Sequence, residues 1–137
     1  MALISSKGVY GLAAMVALHR HGNQTPMQSR EIAENGDISR NYLDQLLGKL
    51  RKAGLVKSIR GPQGGYLLAK EAAQISVQEI LLAVEDEMQV VDISYDCSVL
   101  SLFFKDIQEK MLALFSLSLS DLDAYQEAYN EYLHFSI

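Results

Sequence analysis

The first chemistry in the chain is a run of polar residues at helical spacing. Ser39, Arg40, Asn41, Tyr42 and Gln45 cluster together, with Lys49 and Lys52 following on the same polar side. An arginine can give paired hydrogen bonds to the major-groove edge of guanine, and Gln45 or Asn41 can do the same for adenine. Lysines further along such a helix suit phosphates, which position a protein without reading sequence. A second set stands just downstream: Ser58, Arg60, Gly61, Gly64 and Gly65. An arginine at a glycine-rich tip suits a narrow, A·T-rich minor groove. Its flanking glycines leave backbone N–H groups open to phosphates. Lys7 and Tyr10 are either further phosphate contacts or a solvated lysine and a core tyrosine.

These residues need a scaffold, and the hydrophobic pattern supplies one. A first helix is expected over about 6–21, with Val9, Leu12, Ala13, Val16 and Ala17 forming its inward stripe. Gly22, Asn23 and Pro26 end it. A short helix over about 29–35 follows, with Ile32 and Ala33 inward and Gly36 expected in the left-handed position. Ser39 then caps a helix over about 40–53. Leu43, Leu46, Leu47 and Leu50 repeat along its core face, opposite the polar set. Gly48 costs such a helix about 1 kcal/mol relative to Ala, which suggests close approach of another backbone or of DNA. Short helix, turn and longer helix spell helix-turn-helix. The β-like stretches 55–59 and 66–69, joined by a tip containing Pro62 and three glycines, form a wing. Beyond the wing, Ser76 and Glu79 form a capping box for a helix over about 77–87. Residues 88–98 read as a loop. An amphipathic helix over about 99–115 carries Val99, Leu102, Phe103, Ile107, Met111, Leu114 and Phe115 on one side. The serine-leucine run at 116–120 breaks it, and a last helix spans about 121–133 with Tyr125, Tyr129 and Tyr132 on one side.

Composition narrows the function classes. The chain has 137 residues, 49% of them hydrophobic, and a net charge of −5. That charge is unevenly placed. Residues 1–70 carry ten Lys and Arg against four Asp and Glu, a net +6, while residues 71–137 carry two against thirteen, a net −11. A basic half joined to an acidic half points to a polyanion partner for the first half only. No apolar run reaches the roughly 18 residues of a membrane span, and no cleavage site follows the first helix, so a cytoplasmic protein is expected. The glycine-rich tip lacks the Lys-Ser/Thr ending of a phosphate-binding loop. The three histidines, His19, His21 and His134, assemble no catalytic group, so no enzyme is expected. The single cysteine, Cys97, excludes an intrachain disulfide.

The segments SSKGVYGLAAMVAL, ISRNYLDQLLGKLRKAGLVKSIRGPQGGYLLAK and ISVQEILLAVE resemble the Rrf2 family of bacterial transcription regulators. The resemblance covers residues 1–87 most strongly. It implies a mainly α fold with a small β wing: a winged helix-turn-helix followed by a long C-terminal dimerisation helix. It divides the chain into a DNA-binding domain at 1–87, a sensor-position loop at 88–98, and a dimerisation helix with a C-terminal helix at 99–137. The implied protein is a homodimer that binds double-stranded DNA at a palindromic operator, with repression the expected mode. A regulatory protein partner is a further implication, and no membrane partner is expected.

Members of this family that hold an iron–sulfur cluster place three cysteines before the long helix. Here Cys97 stands there alone, short of the four ligands such clusters normally take. No cofactor and no metal are expected, and a cluster is disfavoured. Cys97 is either an inert thiol or a redox switch, with Asp92 and Asp96 raising its pKa and slowing it. Two alternatives stay open: a winged-helix module that binds protein, and a redox- or cluster-sensing regulator using Cys97.

Overall fold

The computed structural model describes residues 2–91 and 98–136. Three helices come first: α1 (Ser6–His21), α2 (Ser29–Gly36) and α3 (Arg40–Lys52). The antiparallel hairpin β1 (Val56–Ile59) and β2 (Gly65–Leu68) pairs Val56 with Leu68 and Ile59 with Gly65. Then come α4 (Val77–Val84), α5 (Ser98–Ala113) and α6 (Asp123–Ser136). The main core gathers Ala14, Met15 and Leu18 from α1, Ile32 from α2, and Leu43, Leu46, Leu47 and Leu50 from α3. Leu55, Val56 and Leu68 of the hairpin and Ile80 and Val84 of α4 complete it. Both expected caps form. Ser39 Oγ accepts from the Tyr42 N–H, and Ser76 and Glu79 cap α4 reciprocally. After α5 the chain returns to the core. Its Leu119 N–H donates to the Ile75 carbonyl at 2.7 Å, and the Leu119 side chain is fully buried.

Three local expectations change, and a fourth narrows. The buried face of α1 is Gly8, Gly11, Ala14, Met15 and Leu18, while Val9 is exposed and Leu12, Ala13, Val16 and Ala17 sit at the core's edge. The inward face is the one with small residues because α4 lies against it. A Cβ on Gly11 would stand 2.9 Å from a Val84 methyl. At the turn, Gly36 stays helical and Asp37 takes the left-handed conformation at φ 53° and ψ 50°. Aspartate tolerates that region through local hydrogen bonding, whereas Gly36 is small because a Cβ there would meet Ile38 at 2.8 Å. α4 stops at Val84, short of residue 87, because Glu85 turns extended and sends its carboxylate to the start of α1. No other backbone of the chain approaches Gly48: apart from its own helix, nothing lies within 4 Å of a Cβ built on it, which leaves DNA as the expected neighbour.

The two helical glycines therefore predict opposite effects. Gly11→Val overpacks the α1–α4 contact and should lower the unfolding free energy by about 1–3 kcal/mol. Gly48→Ala relieves helix-propensity cost alone and should raise it by up to about 1 kcal/mol. Urea titrations of both variants read the two signs.

Candidate nucleic-acid interface

Burial of its four leucines turns the other side of α3 outward. Ser39, Arg40, Asn41, Asp44, Gln45 and Lys52 are all exposed, with Lys49 half-buried. Arg40 Nη2 donates to Ser29 Oγ at 3.2 Å, tying the start of α3 to the start of α2. Tyr42 is half-buried. Its ring meets Tyr10 edge-on with centroids 5.7 Å apart, and its hydroxyl stands 3.2 Å from Ser6 Oγ. Both tyrosines thus pack between α1 and α3, with the Tyr42 hydroxyl directed to the exposed Ser6.

The wing presents Ser58, Arg60 and Gly61 as exposed residues. Its glycines serve the chain itself. A Cβ on Gly64 would stand 2.1 Å from the Ile59 carbonyl oxygen, and one on Gly65 would stand 2.5 Å from the Met27 carbonyl oxygen. The Gly64 N–H already donates to the Gly61 carbonyl at 2.9 Å. Gly61, at φ 108°, is open to solvent. Met27 and Tyr66 exchange two backbone hydrogen bonds at 3.0 and 2.8 Å, so the loop after α1 pairs with the wing. Asn23 adds a second tie: its side chain accepts from the Leu68 N–H and donates to the Leu68 carbonyl. Gln28, Ser29, Arg30 and Arg40 face Gly61, Gly64 and Gly65 across a shallow groove. The start of α2, the start of α3 and the wing tip therefore share one edge.

Acidic residues outside the expected set fold back onto the basic half of the chain. Asp86 bridges two lysines from different helices, Lys7 of α1 and Lys49 of α3, the latter at 3.3 Å. Lys7, then Lys49, holds the Asp86 carboxyl below the ordinary carboxylate range, and Asp86 in turn raises Lys7. Glu85 accepts from the Ser5 and Gly8 backbone N–H groups at 2.8 and 3.0 Å, at the positive end of α1. Gly8 has no Cβ because one would stand 2.5 Å from Glu85 Oε1. Sequence spacing gave no signal for these ties, since they join residues 37 to 80 positions apart.

Against known proteins, the Rrf2 family model, described as an iron-dependent transcriptional regulator, matches residues 4–125. The transcriptional regulator CymR of Bacillus subtilis is 37% identical, covering 95% of this chain and 99% of that one. IscR of Xenorhabdus nematophila is 36% identical over 90% of this chain and 80% of that one. IscR of Photorhabdus laumondii is 45% identical over 85 residues, and that match spans about half (52%) of its length. Among solved structures, CymR of B. subtilis superposes with a TM-score of 0.78 at 36% identity, covering 91% of this chain and 98% of that one. IscR of T. potens superposes at 0.76 and 38% identity, covering 91% and 89%.

The family description raises iron, and this chain brings one thiolate toward the four ligands that an iron–sulfur cluster normally takes. There is one cysteine, Cys97, the redox candidate, and it lies outside the described residues together with Asp92 and Asp96. His19 is engaged with Asp123 at 2.9 Å, and His21 lies 3.3 Å from Thr25. Among the described residues no cluster of three His, Cys, Asp or Glu could hold a metal ion.

The pairing of wing and loop predicts a local effect. Gly65→Ala places a methyl against the Met27 carbonyl and should break the Met27–Tyr66 pair. Hydrogen exchange should then speed up at the Met27 and Tyr66 amides while the Leu46, Leu47 and Leu50 amides keep their protection.

Proposed function

Because the chain belongs to the Rrf2 family of transcriptional regulators, we propose that it binds duplex DNA through α3 and the wing and regulates transcription. The observation that carries this reading is the shared edge described above. The exposed N-terminal turn of α3 and the wing tip lie on one side of the molecule, in the half of the chain with net +6 charge. In this reading Ser39, Arg40, Asn41 and Gln45 meet base edges in the major groove. Arg60 enters the adjacent minor groove. Lys49, Lys52, Ser58, the Tyr42 hydroxyl and the backbone of Gly61 meet phosphates and sugars, while Gly64 and Gly65 shape the wing tip that carries them. Release of counterions from the backbone supplies much of the affinity.

The same reading makes the protein a homodimer with a palindromic operator, acting as a repressor. Residues 1–87 hold the DNA surface and 99–137 hold the subunit contact. α5 supports this. It is an apolar 16-residue helix with Met111 its one buried residue, while Val99 and Leu102 are 72% and 70% exposed. Phe103 and Leu114 are exposed as well. A helix this apolar needs another surface to cover it, and a symmetric pairing of two copies covers both at once. No helix of the described residues is long and apolar enough to cross a membrane.

Two measurements test the reading. Arg40→Ala should narrow the gap between specific and random-duplex affinity, by about 1–3 kcal/mol for a bidentate contact. Lys52→Ala should weaken both equally, and Arg60→Ala should weaken operator binding and relax preference for A·T-rich flanks. In sedimentation, the wild type should run as a dimer and a Val99→Asp/Phe103→Asp variant as a monomer. Equal discrimination by all three charge variants, or a monomeric wild type, would contradict the respective part.

A further inference from the structure

Two lysines near the start of α1, Lys7 and Lys49, already have an anionic partner within the chain. One carboxylate on the strap that leaves α4 holds both of them: Asp86 bonds Lys7 Nζ through one oxygen and Lys49 Nζ, at 3.3 Å, through the other. Its neighbour Glu85 covers the α1 N-terminus, accepting from the Ser5 and Gly8 N–H groups and from the Ser5 hydroxyl. A helix start with free N–H groups and nearby lysines is the arrangement that takes a phosphate. Here the chain's own carboxylates take the place a phosphate would occupy. The Tyr42 hydroxyl and Ser6 Oγ lie on the same edge, between α1 and α3.

We propose that Asp86 is a built-in competitor of the DNA backbone: its strap withholds Lys7 and Lys49 from phosphate, and DNA binding proceeds by displacing it. The inference rests on the DNA-binding reading above. Three features favour competition over a fixed structural pin. Asp86 is exposed, with 70% of its side chain open, so both ion pairs are of the weak, solvent-screened kind that another anion displaces. The strap is fixed on either side of Asp86, at Glu85 against the start of α1 and at Met88 and Val90 against α5, so the Asp86 side chain can leave the lysines while the strap stays anchored. Met88 is buried, its carbonyl accepts from Gln108 Nε2, and the Val90 N–H donates to Gln108 Oε1 at 2.8 Å. Gln108 belongs to α5, so the same short strap touches both the DNA-facing lysines and the helix assigned to the subunit contact. Finally, Asp86 lies between Glu85 and Glu87, so any phosphate arriving at Lys7 or Lys49 meets local negative charge until the Asp86 side chain moves.

The rival account is that Asp86 orients the lysines for DNA, and the two accounts differ in sign. The test measures binding of a fluorescent duplex across a salt series for the wild type, Asp86→Asn and Glu87→Gln. The last two change net charge equally, and Glu87 is also exposed. Asp86→Asn should bind several-fold more tightly than Glu87→Gln at low salt. Its plot of log affinity against log salt should be steeper by about 1–2, the worth of one or two added phosphate contacts. The gain should vanish when Asp86→Asn is placed in a Lys7→Gln/Lys49→Gln background. Equal affinities for the two charge variants, weaker binding by Asp86→Asn, or a gain that persists without the lysines would each overturn the inference while leaving the DNA reading intact. No duplex binding by the wild type would overturn both.

Discussion

Packing of the α3 leucines sets the orientation of everything that could touch DNA. Leu43, Leu46, Leu47 and Leu50 are fully buried against α1, α2, the hairpin and α4. Burying each such side chain contributes on the order of 1.5–3 kcal/mol, far more than any exposed contact α3 makes. A helix has a single rotational setting that buries all four, and that setting turns Arg40, Asn41 and Gln45 outward. The wing depends on the same core, because Leu55, Val56 and Leu68 anchor it there. The Met27–Tyr66 pair and the Asn23 side chain then fix the hairpin against the loop after α1. Helix and wing are thus placed by one hydrophobic cluster.

The acidic half of the chain has two different roles around that core. One is local: Glu79 caps α4 and pairs with Lys70 at 3.0 Å, which holds its carboxyl below the ordinary range. The other reaches back over the basic half. Glu85 neutralises the start of α1, and Asp86 bridges Lys7 and Lys49. The charge asymmetry between halves is therefore not a simple division of labour, since the first acidic residues after α4 fold onto the basic face. From there the strap leads through Met88 to Gln108 and α5. That continuity joins the surface proposed for DNA to the helix proposed for the subunit contact.

Much of the architecture was legible because it follows from local rules. The leucine spacing located α3, the serine caps located the starts of α3 and α4, and the glycine-rich tip located the wing. What local rules missed was pairwise. The inward face of α1 was misjudged because Val9 and its partners look more apolar than Gly8 and Gly11, yet close approach of α4 selects the glycines. Gly64 and Gly65 read as residues kept bare for phosphate, and the geometry shows backbone carbonyls already filling that space. The early end of α4 depends on a carboxylate bonding to the first turn of a helix nearly eighty residues away, which no window of sequence contains. The proposed roles of Ser39, Arg40, Asn41, Gln45 and Arg60 rest on exposure and placement, and the family membership gives those placements a function to serve.

The central claim is that α3 and the wing bind a polyanionic duplex through its backbone and grooves. The most direct measurement is the affinity of the wild-type protein for a duplex across a salt series. The account predicts a linear fall of log affinity with log salt, with a slope of about −0.9 for each phosphate engaged. Binding that is absent at low salt, or insensitive to salt, would contradict it.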